Sequence, residues 1–453
     1  MGAAPTIEQA AARLRDGSTT AAALTKGLLT AIDAANDRLG AYVTVSHAAA
    51  IAAAEQADAE LAAGHDRGPL HGIPLAVKDI IATEDAPTTA NSRALAPDWF
   101  AGVDAGAVAR LRAAGAVIIG KATTNEFACG DIDPSKGFRV PRNPWHLDHS
   151  PSGSSSGTGV AVAAGLALGG LGTDTGGSIR RPSAANGITG LKPTYGRVPT
   201  TGVVPFAASL DVVGPMARTA RDCALLFDAI AAGPAAFAEI GQGVAGLRIG
   251  LPIPFFFDSP GLDDEVRVAV LAAVDLLADA GADVREITVP FPKQARDAAY
   301  LAAVAEGYAY HHENLTSRWA DYGRSTRLIL ARGALYSAGD HAQARLVGTA
   351  FREAVLDLFT EVDVIVTPTL AAPAERLGES DIDRGLSEPR FTDQWNLVGL
   401  PALAVPCGFS STGLPLSFQL IGGPFDDARL LATAADYQTR TDWHEQQPEA
   451  TWA

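Results

Sequence analysis

Short apolar runs alternate with helical patterns over almost the whole 453 residues of the chain. Residues 247–252 precede a helical pattern at 263–281, and 283–289 follow it; a helical pattern at 341–359 likewise precedes an apolar run at 362–369. Alternation of this kind favours an α/β protein, in which helices pack on the faces of one sheet. We therefore predict one large α/β domain with a central mixed, mostly parallel β-sheet flanked by helices.

No long Ser/Pro-rich or charged linker separates two halves of the chain, and residues 231–246 are the best candidate for a surface linker. We expect one domain over 1–453. Within it, we distinguish a helical segment at about 1–66, a central part at about 67–232 and a C-terminal α/β part at about 246–440.

Composition narrows the function classes. The net charge is −16 and no Lys/Arg-rich block occurs, which argues against a nucleic-acid or anionic-membrane surface. The three cysteines, Cys129, Cys223 and Cys407, have no zinc-site spacing and cannot form a disulfide framework. With no secretory-signal pattern at the N-terminus and no long apolar run, we expect a cytoplasmic protein with no membrane partner.

Two segments rich in glycine and serine carry the chemistry. The first, "HSPSGSSSGTGVAVAAGLALGG" at 149–170, is small or apolar on every face from Gly157 to Leu168, which predicts a buried helix. Serines 154–156 would lie at its N-terminus, where backbone N–H groups are free. The second, "TDTGGSIRRPSAANG" at 173–187, offers four successive N–H groups, those of Thr175, Gly176, Gly177 and Ser178. Such a run can form an oxyanion hole, with Ser178 as a nucleophile beside it.

Two other interpretations of these segments stay open. "GSSSG" at 153–157 matches the nucleophile-elbow pattern with Ser155 as nucleophile, but that pattern requires a strand directly before it. The preceding residues are polar and contain prolines, which argues against the strand. Alternatively, either segment alone is explained by tight turns without catalysis.

A serine nucleophile needs a base, and no histidine lies close after Ser178. Lys78 ends the apolar run Ile73 to Val77, where a lysine would be poorly solvated. Desolvation lowers the pKa of a lysine, and a neutral amine can accept a serine proton. The alternative is a surface lysine at a strand end with its ammonium group in solvent.

Together these segments resemble the amidase signature family of serine hydrolases. The family's Gly/Ser-rich signature matches roughly residues 150–199, and its lysine motif matches "GPLHGIPLAVKDI" at 68–80. Further similar pieces are "VIIGKATTNEFA", "RNPW", "DVIVTPT" and "GLPALAVPCG". The likeness spans most of residues 6–440 and implies the amidase signature fold.

The resemblance implies a Ser–Ser–Lys triad, with Ser178 as nucleophile, Ser154 as a bridging serine after a cis peptide, and Lys78 as base. In the implied mechanism Lys78 takes a proton from Ser154, which takes one from Ser178. Neither a cofactor nor a metal is expected. Ser152 and Ser156 stand where the family has glycines, which restricts the loop's backbone but leaves the triad positions unchanged.

The sequence also offers candidates for supporting and substrate-binding residues, on less specific patterns. Asp174 and Arg180 flank the nucleophile loop and either pair to brace it or are two solvated charges. We expect the variable segments 125–145, 308–345 and 371–396 to line part of the pocket. Their aromatic residues favour a bulky or aryl substrate. The candidate substrate-binding residues are Phe127, Cys129, Gly130 and Trp395.

These features predict hydrolysis of an amide, aryl amide or carbamate through a Ser178 acyl-enzyme. The expected partner is that small molecule, with no nucleic acid, and a homodimer stays open. One alternative is the glutaminase subunit of a tRNA-dependent amidotransferase. Gly348 stands where that protein has an arginine for the glutamine carboxylate, which favours a free-standing hydrolase. A second alternative is a non-catalytic scaffold of the same fold.

Overall fold

An eleven-stranded sheet runs through the computed structural model, which describes residues 4–378 and 390–449. The strands are β1 (Tyr42–Val45), β2 (Pro74–Lys78), β3 (Val117–Ala122), β4 (Gly169–Asp174), β5 (Thr189–Lys192), β6 (Val212–Ala217), β7 (Arg248–Pro252), β8 (Asp283–Ile287), β9 (Val364–Pro368), β10 (Ala402–Phe409) and β11 (Pro415–Gly422). Their order across the sheet is β1-β3-β2-β4-β6-β5-β10-β11-β9-β7-β8. The α/β class and the single domain with helices around a central sheet are as predicted.

Helices surround this sheet. They are α1 (Ile7–Arg15), α2 (Ala21–Leu39), α3 (His47–Ala62), α4 (Gly106–Ala113), α5 (Ser156–Ala163), α6 (Arg180–Asn186), α7 (Ala220–Ile230), α8 (Ile253–Phe256), α9 (Asp264–Asp279), α10 (Pro292–Ser317), α11 (Arg324–Arg332), α12 (Ala338–Leu358), α13 (Asp393–Leu397) and α14 (Asp427–Gln438). Local sequence sets their ends: Thr6 caps α1 in a capping box with Gln9, and Gly40 ends α2 in the left-handed conformation. Among the described residues, no helix has the length and apolar character needed to cross a membrane.

The sheet is mixed, but it is not mostly parallel as predicted. Of the ten neighbouring strand pairs in the described residues, six are antiparallel. Strands joined without a crossover helix run antiparallel. Thus β10 turns directly into β11 through residues 410–414, where the Gly413 N–H donates to the Ser410 carbonyl at 2.9 Å.

The central strands position the chemistry-bearing segments. Strands β2 and β4 are parallel neighbours and every residue in both is buried. Parallel strands end at the same edge of a sheet, so Lys78 at the end of β2 lies close to the end of β4. The loop that begins with Thr175 follows β4 directly and leads into α6. Helix α5 begins at Ser156 and packs on β4 and on α6.

Candidate active site

Lys78 reaches across the sheet to two hydroxyl groups. Its Nζ lies 2.7 Å from Ser154 Oγ and 2.7 Å from Thr173 Oγ1. The lysine is fully buried, Ser154 is 4 % exposed, and Thr173 is in β4 beside the strand that carries Lys78. Its burial excludes the alternative of a surface lysine. The structure thus joins two residues far apart in sequence by one hydrogen bond.

The protonation of Lys78 follows from this burial. Burial lowers the pKa of Lys78 to about 7, although the negative charges of Asp174 and Asp211 partly oppose the shift. A substantial fraction of the amine is therefore neutral near neutral pH, whereas a solvated lysine is almost wholly protonated. A neutral amine has two N–H groups and a lone pair, so it can donate to Thr173 and accept from Ser154.

The loop before α5 holds Ser154 against the sheet. The Gly153–Ser154 peptide is cis. A Cβ on Gly157 would lie 2.3 Å from the Ala41 carbonyl oxygen, so only glycine permits this close packing of the helix start. The neighbouring Ser155 is fully buried, and its hydroxyl exchanges hydrogen bonds of 3.2 Å with the Thr173 backbone. No strand of the described residues leads into this loop, so both context and burial exclude the nucleophile-elbow interpretation.

Ser178 lies next to this loop. Its carbonyl accepts the Ser155 N–H at 3.1 Å, so the backbone residues that carry Ser154 and Ser178 are adjacent. Ser178 is partly exposed, and among the described residues its hydroxyl has no hydrogen-bond partner. The predicted line of three side chains is therefore formed from Lys78 to Ser154 and not onward to Ser178. Catalytic hydrogen bonds are often long in ligand-free enzymes and tighten with substrate.

One of the four backbone N–H groups predicted to form the oxyanion hole is not available in the structure. The Gly177 N–H donates to Asp174 Oδ1 at 2.7 Å, so this donor is already engaged. The N–H groups of Gly176 and Ser178 have no hydrogen bond to any described residue, which leaves both free to face an anion. Gly177 has φ +119°, a conformation that other residues rarely adopt.

Asp174 and Arg180 form a buried ion pair. Arg180 Nη2 lies 3.0 Å from Asp174 Oδ1, and both side chains are fully buried. Burial alone would raise the pKa of Asp174, but the charge and hydrogen bonds of Arg180 outweigh this and hold that pKa well below its usual range. The guanidinium also donates to Gln419 Oε1 and Asn396 Oδ1 at 2.9 and 2.7 Å. Of the two alternatives, the structure has the pair that braces the loop.

Replacing Arg180 by methionine should destabilise the protein by about 3–5 kcal/mol, because it leaves the buried Asp174 carboxylate without its counter-charge. Urea unfolding measures the change. The matched control is Arg285→Met, which removes an arginine from a half-exposed pair with Asp283. Its effect should stay within about 0.5 kcal/mol. Equal stability of the two variants would show that the pair does not brace the fold.

Two residues of the site were missed in the sequence. Thr173 bonds Lys78, and Asp211 accepts the Thr175 hydroxyl at 2.5 Å. Burial raises the pKa of Asp211 to about 6. Thr173 had a usable signal, since a threonine before "DTGGS" interrupts a run of glycines and leucine in a buried strand. Asp211 had none, because it is 33 positions beyond Ser178 in an unremarkable segment.

The proposed substrate-binding residues pack among other side chains. Trp395 is fully buried, and its indole stacks on Phe256 with ring centroids 5.9 Å apart. Phe127 is 2 % exposed and contacts His311 with centroids 4.3 Å apart. A Cβ on Gly130 would meet Thr326, and burial raises the pKa of the Cys129 thiol well above its usual value. Substrate contact stays a prediction for Phe127, Cys129, Gly130 and Trp395, and burial of the two aromatic side chains does not support it.

Three other predictions concern metal binding, His71 and the limits of the predicted segments. Within 4–378 and 390–449, no three His, Cys, Asp or Glu side chains cluster as a metal site requires. His71 is buried and its Nε2 lies 3.1 Å from Glu60 Oε2. Residues 379–389 of the predicted pocket segment, together with 1–3 and 450–453 of the predicted domain, lie outside the described residues.

Comparison with known proteins finds relatives in sequence and in structure. The sequence model of the amidase family matches residues 23–431. The glutamyl-tRNA(Gln) amidotransferase A subunit of Roseiflexus sp. (strain RS-1) is 42% identical, with 98% of each chain covered. A crystal structure described as an amidase is 32% identical, with TM-score 0.87 over 96% of this chain and 100% of the other. The Thermotoga maritima glutamyl-tRNA(Gln) amidotransferase A subunit is 30% identical, with TM-score 0.80 over 96% and 95% of the two chains.

These relatives correct the prediction about partners. We expected a small-molecule partner and no nucleic acid, and that prediction is wrong. The curated relatives at 42–43% identity are named as a subunit of a glutamyl-tRNA(Gln) amidotransferase, a name that includes both an assembly of subunits and a tRNA. Net charge was a poor guide, because it averages over the whole chain and does not describe any one surface.

The family assignment rests on agreement between sequence and structure. The matched region runs from α2 into α14 and so contains Lys78, Ser154 and Ser178. The similarity extends over nearly the full length of each relative. The chain belongs to the amidase signature family, whose enzymes hydrolyse carbon–nitrogen bonds.

Proposed function

We propose that the chain cleaves an amide-type carbon–nitrogen bond through an acyl-enzyme on Ser178, with Ser154 and Lys78 as proton relay. One observation carries the proposal. A fully buried lysine, with a pKa lowered to about 7, lies 2.7 Å from Ser154 Oγ, at the point where the Ser178 loop meets the Ser154 loop. A lysine of this kind can act as a base, which a solvated lysine at pH 7 cannot.

The proton moves in two transfers. The neutral Lys78 amine accepts the Ser154 proton, and Ser154 accepts the Ser178 proton as Ser178 Oγ bonds to the substrate carbonyl carbon. The carbonyl oxygen becomes an anion, which the Gly176 and Ser178 N–H groups can stabilise. Collapse of this intermediate breaks the carbon–nitrogen bond. The proton held by Lys78 returns through Ser154 to the leaving nitrogen.

Water then completes the cycle. It loses a proton to the same relay as it attacks the ester carbonyl; the bond to Ser178 Oγ then breaks, the relay returns that proton to Ser178 Oγ, and the acid is released. Thr173 keeps the amine in place by accepting one of its N–H groups at 2.7 Å. Asp211 holds Thr175 at the start of the oxyanion loop. Both residues position the machinery and neither needs to touch the substrate.

The relatives favour glutamine as the amide. Identity of 42–43% over 98% of the chain supports a role as the A subunit of a glutamyl-tRNA(Gln) amidotransferase, which would release ammonia from glutamine. One observation favours a second function, hydrolysis of another amide or of a carbamate. Gly348 in α12 packs against Leu397, with a methyl group built on it 3.3 Å from that side chain, so this position offers no guanidinium to a carboxylate.

Ammonia release from glutamine distinguishes the two functions. We expect turnover by the chain to increase at least about tenfold when the remaining amidotransferase subunits and glutamyl-tRNA(Gln) are added, since ammonia is used only in that assembly. The assay includes Ser178→Ala to exclude contaminating glutaminase. Turnover of anilides or carbamates instead, with no response to the added components, would assign the second function.

A further inference from the structure

Asp211 places a buried carboxylate beside the proposed relay. It directly precedes β6, whose first residue, Val212, pairs with Asp174 at the end of β4. Strand β4 has β6 on one side and β2, which ends at Lys78, on the other. Asp211 and Lys78 therefore flank the end of β4, and adjacent strands of a sheet lie only about 4.8 Å apart.

Both side chains reach toward that strand end. Lys78 Nζ lies 2.7 Å from the Thr173 hydroxyl, and Asp211 Oδ1 accepts the Thr175 hydroxyl at 2.5 Å. All four residues are buried. Because water is excluded there, a charge on one group acts on the other more strongly than it would in water.

Hydrogen bonds hold the Asp211 carboxylate in place. Its Oδ2 accepts the Phe206 and Ala207 N–H groups at 3.0 and 3.1 Å. Burial raises the pKa of Asp211 to about 6, and the positive charge of Lys78 acts in the opposite direction. Asp211 is therefore largely ionised at pH 7. Its charge in turn favours the protonated form of Lys78, against the larger effect of burial on that amine.

The other carboxylate that faces Lys78 already has a counter-charge. Asp174 is paired with Arg180 at 3.0 Å, and the charge of Lys192 acts on it as well. In the described part of the chain, no arginine or lysine forms a salt bridge of that kind with Asp211. Of the two carboxylates whose charges act on Lys78, Asp211 is thus the one left to balance it.

We infer that Asp211 is the counter-ion of the Lys78 ammonium group that forms during turnover, and that it fixes the oxyanion loop through Thr175 at the same time. The inference rests on the proposed function. As Ser178 Oγ bonds to the carbonyl carbon, its proton passes through Ser154 to the Lys78 amine, which becomes an ammonium. The carboxylate, already in place, stabilises that new charge. Asp211 is a positioning residue, because it acts through Lys78 and Thr175.

Asp211→Asn removes the charge and keeps the shape. The amide oxygen can accept the two N–H groups, and the amide nitrogen can donate to the Thr175 hydroxyl. We expect the pH midpoint of fluorophosphonate labelling at Ser178 to fall by about half a pH unit or more, because a nearby opposite charge no longer favours the ammonium. Above the midpoint the labelling rate should fall about tenfold or more, because the ammonium has lost its counter-ion.

Asp222→Asn is the matched control. Asp222 is fully buried, and burial raises its pKa to about 6, as it does for Asp211. Its carboxylate accepts the Ile7 and Glu8 N–H groups of α1 at 3.1 Å, and the charge that acts on it is that of Arg218. We expect the midpoint to stay unchanged in this variant. Loss of local order alone would lower the labelling rate without moving the midpoint.

A second measurement leaves Asp211 unaltered. Carbon NMR of protein labelled at the aspartate carboxyl carbons follows the two buried carboxyls that titrate near pH 6, and Asp222→Asn identifies which signal is not that of Asp211. In Lys78→Met the Asp211 signal should titrate at a higher pH than in the wild type, because the ammonium that favours its ionised form is gone. The Asp222 signal should not move.

A midpoint that falls in Asp211→Asn and stays in Asp222→Asn supports the counter-ion. An unchanged midpoint in Asp211→Asn, or an equal fall in both variants, overturns it. If Asp211→Asn does not fold, the carboxyl titration decides: a moved Asp211 signal in Lys78→Met supports the inference and an unmoved one overturns it. Wild-type labelling at a serine other than Ser178 would instead contradict the proposed function, and the titration would still test the ion pair.

Discussion

Replacing Ser178 by alanine should lower turnover of any amide substrate by on the order of a millionfold, the scale seen when a nucleophile that acts as part of a unit is removed. The reason is that no acyl-enzyme can form, whereas the free N–H groups of Gly176 and Ser178 and the substrate pocket remain. Substrate binding should therefore change little. Single-turnover measurements of product formation check the loss, and calorimetry checks the binding.

Ser183→Ala is the matched control for this change. Ser183 is a buried serine of α6, five residues further along, and its hydroxyl donates only to the Ile179 carbonyl of its own helix. Its removal should leave turnover within a few-fold of the wild type, because a bond of this kind contributes about 1 kcal/mol or less to stability. Similar activity in the two variants would contradict a nucleophilic role for Ser178.

Replacing Lys78 by methionine should lower turnover at pH 7 by a factor of at least about a thousand, within the range that general acid–base groups contribute. Wild-type activity should rise with pH as the amine loses its proton, with a midpoint near the lowered pKa of about 7. Lys78→Arg should not restore activity, because a guanidinium stays protonated. A pH–rate profile of each protein measures both effects, and near-normal turnover in Lys78→Met would require another base.

Lys78→Met should also change how the free energy of unfolding depends on pH. Lys78 has a pKa of about 7 in the folded chain, against about 10.4 in the unfolded chain. Between these values the unfolded chain binds more protons, so the free energy of unfolding rises with pH, by up to about 1.4 kcal/mol per unit. Lys192 is also buried with a pKa lowered to about 7, so Lys78→Met should reduce this slope and not abolish it.

Lys121 provides the control for a buried lysine outside the proposed relay. It is fully buried in β3, and its Nζ lies 3.2 Å from Asp79 Oδ1, whose carboxylate is also fully buried. Lys121→Met should destabilise the protein by about 3–5 kcal/mol, because the partner charge is left unpaired. It should not move the midpoint of the pH–rate profile. A moved midpoint would mean that the rise in activity does not report on Lys78.

Local patterns were sufficient for the class of the fold and insufficient for strand direction. Apolar character located β2 and β7 within one residue of their observed limits, because a buried strand is continuously apolar. The direction of β11 depends instead on the "SSTG" turn at 410–413, whose glycine has φ +79°. A turn of this composition indicates a hairpin, a signal that the predicted, mostly parallel sheet does not take into account.

The candidate site, like the fold, could be predicted from the sequence only in part. Lys78 and Ser154 are 76 positions apart. The need of a serine nucleophile for a base pointed to Lys78, but only the resemblance to a family placed Lys78 and Ser154 in one site. The engaged N–H of Gly177 could not be foreseen, since it depends on how Asp174 turns back on the loop. Segments 308–345 and 371–396, which were predicted to line a pocket, do contribute residues to a cavity, but the part that the first turns of α10 have in it was not predicted.

The most direct test of the account is the pH dependence of covalent labelling at Ser178. A fluorophosphonate reacts with an activated serine, and peptide mass spectrometry identifies the labelled residue. We predict labelling at Ser178, with a rate that rises with pH about a midpoint near 7 and is almost lost in Lys78→Met. Labelling at another serine, or an unchanged rate in Lys78→Met, would contradict activation of Ser178 by the buried lysine.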